Sequence, residues 1–112
     1  MPTFNIEKLE FKTKRGIKEE KIRNIIEDSF PVADKLQFED VANKIRDELG
    51  NLGYNFNVFV TEFLSHALHT NCGISIVGNE IIRYFVKYNG ENKCTRDDRT
   101  TTGNKYLVVI WN

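Results

Sequence analysis

The chain has 112 residues, the size of one small domain, and its 40% hydrophobic and 29% charged residues are typical of a globular fold. Its 16 basic residues equal its 16 acidic residues, which argues against a general nucleic-acid-binding or anionic-membrane-binding protein. There is no apolar run of membrane-spanning length, and the charged N-terminal segment lacks the apolar core of a signal peptide. We therefore expect one cytoplasmic domain over residues 1–112.

The N-terminal half predicts a strand followed by two helices. Phe4, Ile6, Leu9 and Phe11 alternate with polar residues, with one shift between Ile6 and Leu9, which predicts a strand with a bulge or two short pieces. Apolar residues at helical spacing then indicate a first helix that ends at Pro31 and a second that stops at Gly50. These apolar positions are Ile22, Ile25, Ile26 and Phe30, followed by Phe38, Val41, Ala42, Ile45 and Leu49.

The C-terminal half predicts strands. "YNFNVFV" is rich in aromatic and β-branched residues, and "GISIV" and "EIIRYFVKY" form two more strands joined by a Gly78–Asn79 hairpin. A polar loop at 91–104 leads to a closing strand, "KYLVVIW". The predicted fold class is α+β, with an N-terminal strand, two helices packed on one face, and an antiparallel sheet of about four strands.

The segment "TEFLSHALH" fits either a strand or a helix, and the strand-favouring residues that precede it favour a strand. A strand would send His66 and His69 to opposite faces, whereas a helix could bring them together and near Cys72. Zinc normally needs three or four ligands, and no second cluster of Cys and His follows. Structural or surface histidines are therefore the favoured interpretation, and a disulfide between Cys72 and Cys94 stays open.

Other motifs give little support for catalysis. Cys72 and His69 lack an obvious orienting partner, Asp97–Asp98 is typical of a charged turn, and the glycines build no phosphate-binding loop. We therefore expect a protein that is not an enzyme and uses no cofactor or metal.

Several runs, taken with the order of the elements, resemble the dynein light chain family, in particular its eight-kilodalton type. "LEFKTKRGIKEEKI" is similar to a strand that leads into an acidic first helix, and "EDVANKIRDELGNLGYNFNVFV" to the second helix and the strand after it. Phe63, Ser65 and His69 match a Phe-x-Ser-x-x-x-His strand, and "GNEIIRYFVKY" is like a Gly-led strand ending in Phe-x-Lys. The resemblance covers residues 8–90. The related Tctex type shares the fold, and "LHT" and "KYLVVIW" are similar to its later strands.

The resemblance implies a homodimeric adaptor that binds linear peptide segments of partner proteins, dynein intermediate chain among them, by adding a strand to an exposed sheet edge. It implies peptide contacts by Phe63, Ser65, His66 and Leu68. It implies a dimer interface that contains His69, Val58 and Val60. The acidic–basic pair that helps to hold a target glutamine in the family falls at Phe38 and Glu39 here, so the target motif of this chain stays open.

Residues 91–112 extend beyond the family pattern. The strand in "KYLVVIW" is expected to join its own sheet, either over the edge that relatives offer to peptides or as a core strand far from any groove. Two other functional hypotheses stay open. One is a small metal-dependent or Cys/His-dependent enzyme, and the other is an unrelated α+β protein-interaction domain.

Overall fold

The computed structural model describes residues 4–30, 38–63, 75–88, 92–93, 100–101 and 104–112. The predicted α+β class is confirmed, because a strand and two helices precede the remaining strands of an antiparallel sheet. The elements are β1 Phe4–Lys12, α1 Glu19–Ser29, α2 Phe38–Asn51, β2 Asn57–Phe63, β3 Ile81–Tyr88, β4 Asn92–Lys93, β5 Thr100–Thr101 and β6 Asn104–Trp111.

The main sheet has four antiparallel strands in the order β1-β3-β6-β2. The strands β3 and β6 therefore lie inside the sheet, and β1 and β2 form its edges. The short strands β4 and β5 pair only with each other, within the segment that the sequence predicts as a polar loop. No helix in the described ranges is long and apolar enough to cross a membrane.

The core lies between the two helices and one face of the sheet. The helices bury the residues whose spacing predicts them, and alternate residues of the interior strands meet these from below. The most deeply buried of these side chains are Ile22, Ile26, Ile45, Leu49, Ile82, Tyr84, Val86, Tyr106, Val108 and Ile110. Burying an aliphatic or aromatic side chain of this kind contributes about 1.5–3 kcal/mol, so this layer stabilises the packing of helices on sheet.

The predicted bulge in the first strand is confirmed. The strand β1 is continuous, but its register against β3 shifts between Lys8 and Glu10. Leu9 is the residue without a partner in this pairing, which explains why the apolar alternation slips between Ile6 and Phe11.

The end of α2 differs from the prediction. Gly50 lies inside the helix, which continues to Asn51. Gly53 has φ +87°, and the N–H groups of Gly53 and Tyr54 donate to the carbonyls of Gly50 and Leu49 at 2.9 and 3.0 Å. A residue in the left-handed region that closes such a pair of bonds is the usual way to end a helix, so Gly53 is the stop.

The predicted hairpin at Gly78–Asn79 is wrong. Residues 75–77, the described part of "GISIV", are not in a strand, and residues 78–79 form a bend. The strand β3 already has β1 on one side and β6 on the other, so it has no free side for a preceding hairpin strand. Instead, the Asn79 N–H donates to the Asn112 carbonyl at 3.0 Å.

The C-terminal strand joins its own sheet as expected, but the alternative in which it covers an edge is wrong. The strand β6 pairs with β3 and β2, and both of its faces are buried. Tyr106, Val108 and Ile110 face the helices, while Leu107 and Val109 on the opposite face are 2% and 1% exposed. A continuous apolar run is what a strand buried on both faces requires.

Candidate functional site

The structure describes only part of the predicted site. Ser65, His66, Leu68 and His69 lie outside the described residues, as do Cys72 and Cys94, so the histidine cluster, the disulfide and most of the implied peptide contacts stay predictions. Phe63 is the last residue of β2. The alternative of a helix in "TEFLSHALH" is wrong for its first three residues, which are in β2.

The two valines implied at a dimer interface point towards the helices. Val60 is 7% exposed and belongs to the core, and Val58 packs against that core. Their side chains already contact their own chain. Any contribution of Val60 to an interface would therefore come from its main chain on the edge of β2.

The first edge strand, β1, is protected against pairing with another chain. It carries Glu7, Lys8, Glu10 and Lys12 and is interrupted by the bulge at Leu9. Lys8 pairs with Glu19 at 3.6 Å, and Arg83 donates to Glu10 at 2.9 Å. Charges and bulges are the devices that usually stop an edge from adding strands.

The second edge strand, β2, lacks this protection. Its register runs unbroken against β6 from Asn57 to Phe63, and its one charged residue is Glu62. Phe59 is 48% exposed on the face that is not covered by helices. In the described part of the chain, the other side of β2 has no paired strand. A straight, largely uncharged edge of this kind is a template for strand addition.

Grooves border this edge on both faces of the sheet. On the helix side, a groove of about 240 Å³ runs between α2 and the start of β2, past Ala42, Asn43 and Arg46. On the face turned away from the helices, a mostly apolar depression of about 450 Å³ is lined by Phe59, Val109, Trp111 and two residues that precede β3, Ser75 and Ile76. An extended segment on β2 would therefore have room for side chains on either face. We call β2 with these two grooves the β2 edge.

The exposed aromatic Phe59 and the α2 residues of this edge were not among the residues predicted to form a site. The sequence does contain an indication of this site. Phe59 is apolar but lies on the opposite face of the strand from Val58 and Val60. Apolar residues on both faces of an edge strand indicate that one face has a further partner. The contribution of α2 depends on how the helix lies over the sheet, which the sequence pattern does not specify.

Glu62 is the charged residue of the strand β2. It is half-buried, opposite Tyr106 in β6, and burial raises the pKa of its carboxyl above the ordinary value. No described residue forms an ion pair or a hydrogen bond with this carboxylate.

A second carboxylate, Glu80, is part of the scaffold. It is 3% exposed and accepts hydrogen bonds from the Arg15 side chain at 2.7 and 3.1 Å and from the Lys14 N–H at 3.3 Å. Burial by itself would raise the pKa of Glu80, but the bonds from Arg15 and Lys14 outweigh it and lower that pKa. The Arg15 guanidinium also lies 4.8 Å from the ring centre of Tyr54. This cluster joins the segment after β1 to the start of β3.

A buried phenol lies under the first helix. The Tyr84 hydroxyl has no well-formed hydrogen bond with any described residue, and burial raises the pKa of Tyr84. Arg23 stacks at 5.4 Å over its ring and donates to Glu19 at 3.1 Å.

Within the described ranges, no three His, Cys, Asp or Glu side chains are grouped in a way that could hold a metal ion.

Comparisons of this chain with protein-family models, with curated proteins and with solved structures found no match.

Proposed function

We propose that this chain is a non-enzymatic, homodimeric adaptor of dynein light chain type in the cytoplasm. It binds linear peptide segments of partner proteins by edge-strand addition and needs no cofactor. The observation that supports this proposal is the contrast between the two sheet edges. The strand β1 is charged and bulged, whereas β2 pairs without a bulge, is nearly uncharged and carries the exposed Phe59.

Strand addition explains how such a surface binds without a deep pocket. The main chain of an extended peptide exchanges hydrogen bonds with the free side of β2, each worth about 0.5–1.5 kcal/mol net. Alternate peptide side chains then enter the groove beside Ala42 and Arg46 or cover Phe59. Affinity comes mainly from the main chain, and preference among peptides comes from the two grooves.

Hydrogen exchange on the full chain tests where a peptide binds. A random-peptide library is selected on the purified protein, and one enriched peptide is synthesised. We expect this peptide to slow amide exchange in β2 and to leave β1 unchanged, because β2 is the edge of the main sheet whose strand has no bulge and one charged residue.

The matched control is the same peptide methylated at every main-chain nitrogen. Methylation keeps every side chain but removes hydrogen-bond donors, so a binder that pairs with β2 should lose its affinity. Protection confined to β1 or to the helices, or undiminished binding of the methylated peptide, would contradict edge-strand addition.

A further inference from the structure

Glu62 differs from the other shielded carboxylates of this protein. Four described acidic residues are buried or half-buried, and three of them pair with an arginine of their own chain. These pairs are Glu10 with Arg83, Glu19 with Arg23, and Glu80 with Arg15. Glu62 is the fourth, and no described residue pairs with it. A shielded carboxylate is costly to keep charged without a partner, so its position on the free edge suggests that the partner is supplied from outside.

Phe59 and Glu62 present different chemistry on the two faces of β2. Phe59 lies on the face turned away from the helices, opposite Val109, and Glu62 lies on the helix face, opposite Tyr106. They are three residues apart (62 − 59), which sends their side chains to opposite faces. A strand paired with β2 would therefore meet an apolar side chain on one face and a carboxylate on the other.

We propose that the β2 edge selects extended segments of partner proteins that place a Lys or Arg opposite Glu62 and an apolar residue opposite Phe59. This inference rests on the proposed function, and it adds the chemistry of the partner. A segment that pairs antiparallel carries the basic residue first and the apolar residue three positions later, and a parallel segment has the reverse order. Opposite charges and aromatic–apolar pairs facing each other across neighbouring strands are the pairs that stabilise sheets.

The surroundings of Glu62 suit a long basic side chain. Tyr106, its cross-strand neighbour, packs against Phe38 with ring centres 6.1 Å apart. Phe38 remains 38% exposed at the start of α2. The methylene stem of a Lys or Arg can cover such aromatic surface while its charged end meets the carboxylate.

The test is a selection in which the charge of the edge is changed. A random-peptide library on phage is selected on the folded wild type, on Glu62→Lys and on the control Glu7→Gln, which removes an exposed carboxylate from β1. Circular dichroism confirms that each variant is folded. We expect wild type and Glu7→Gln to enrich Lys or Arg three positions from an apolar residue, and Glu62→Lys to enrich Asp or Glu at that same position.

Affinity measurements then test whether the preference for a basic residue comes from its pairing with Glu62. In fluorescence anisotropy, Glu62→Gln should bind the selected basic peptide about two- to fivefold more weakly, as expected for a cross-strand ion pair. Replacing the peptide's basic residue by Gln should cost as much with wild type and nothing further with Glu62→Gln.

Three results would overturn the inference. Enriched peptides that protect β2 but show no basic preference overturn it and leave the proposed function standing. A basic preference that persists unchanged in Glu62→Lys assigns it to another residue. Failure to enrich any peptide on the folded wild type overturns the inference and the proposed function together.

Discussion

Glu80 shows at the scale of one residue how a single carboxylate can join distant parts of the chain. It accepts bonds from Arg15 and from the Lys14 N–H, and its own main chain pairs with Asn112 at the end of β6. Arg15 in turn covers the aromatic rings of Tyr54 and Phe56. Three segments far apart in sequence therefore meet at one buried anion.

Replacing this carboxylate by an amide should destabilise the fold. Glu80→Gln keeps the size of the side chain but loses charge-assisted bonds, so we expect the free energy of unfolding to fall by about 1–3 kcal/mol. Urea unfolding followed by tryptophan fluorescence measures this change. The matched control is Glu10→Gln, whose pair with Arg83 is more exposed and should cost under about 1 kcal/mol. Equal losses in both variants would show that the burial of Glu80 is unimportant.

The pKa of Glu80 should also make the stability of the fold depend on pH. The pKa of Glu80 is lower in the folded protein than its ordinary value of 4.5, so the unfolded chain takes up a proton first as the pH falls. The contribution of Glu80 is therefore complete above that value and is lost as the pH falls through the lowered folded pKa. The stability difference between wild type and Glu80→Gln should shrink below pH 4.5 in a urea series. A difference that stays constant with acid would exclude this linkage.

Phe59 should serve binding rather than stability. Its side chain is 48% exposed, so Phe59→Ser should change the free energy of unfolding by no more than about 1 kcal/mol. The variant should nevertheless weaken binding of a selected peptide by about tenfold, since exposed aromatics are frequent binding anchors. Leu9→Ser is the matched control, because Leu9 is an apolar residue that is 37% exposed on the opposite edge strand, β1. Equal peptide affinities of both variants would show that Phe59 is not part of the binding site.

At the scale of elements, the position of β6 decides what the C-terminal residues do. A strand on the sheet edge could be removed and leave a folded remainder. The strand β6 instead separates β3 from β2 and supplies Tyr106, Val108 and Ile110 to the core. Without it, β2 and the helix face above it would lose their support.

Truncation therefore should abolish folding. Deleting residues 104–112 removes an interior strand, so we expect the loss of cooperative unfolding and of protected amides in hydrogen exchange. Ile110→Ala tests the same packing more gently and should cost about 2–5 kcal/mol, as for other buried aliphatic truncations. Leu52→Ala, at a residue that is 42% exposed, should have little effect. A folded, cooperative truncated chain would contradict the interior position of β6.

At the scale of the whole molecule, the chain combines a small core with an apolar surface on one edge. A domain of this length buries only about two-thirds of the surface that its unfolded chain exposes, so its stability margin is narrow. The Cα radius of gyration is 13.9 Å, and the β2 edge lies along one side of the sheet. Two-fold association would add stability to the folded chain by mass action.

We therefore expect a dimer in solution. Sedimentation equilibrium at micromolar concentration should give twice the 13.1 kDa of the monomer. The midpoint of thermal unfolding should rise with protein concentration, because association stabilises the folded state by mass action. A monomer at the highest soluble concentration, with a midpoint independent of concentration, would contradict the homodimer and leave peptide binding by a single chain to be tested separately.

The elements of the fold follow from local pattern. The helices α1 and α2 are specified by apolar residues at helical spacing, and β1 even shows its bulge as a slip in alternation between Ile6 and Phe11. The apolar run in β6 likewise indicates a strand that needs partners. These predictions succeed because periodicity records which side of an element is buried.

The candidate site was determined only by tertiary structure. Strand order depends on hydrogen bonds between residues far apart in sequence, such as Val58 with Ile110, so local pattern could not show that β6 is interior and β2 is an edge. For the same reason the hairpin expected at Gly78–Asn79 failed, since β1 already occupied that side of β3. That Glu62 has no charged partner among the described residues follows only from the packed structure, because burial and pairing depend on which strands and helices meet.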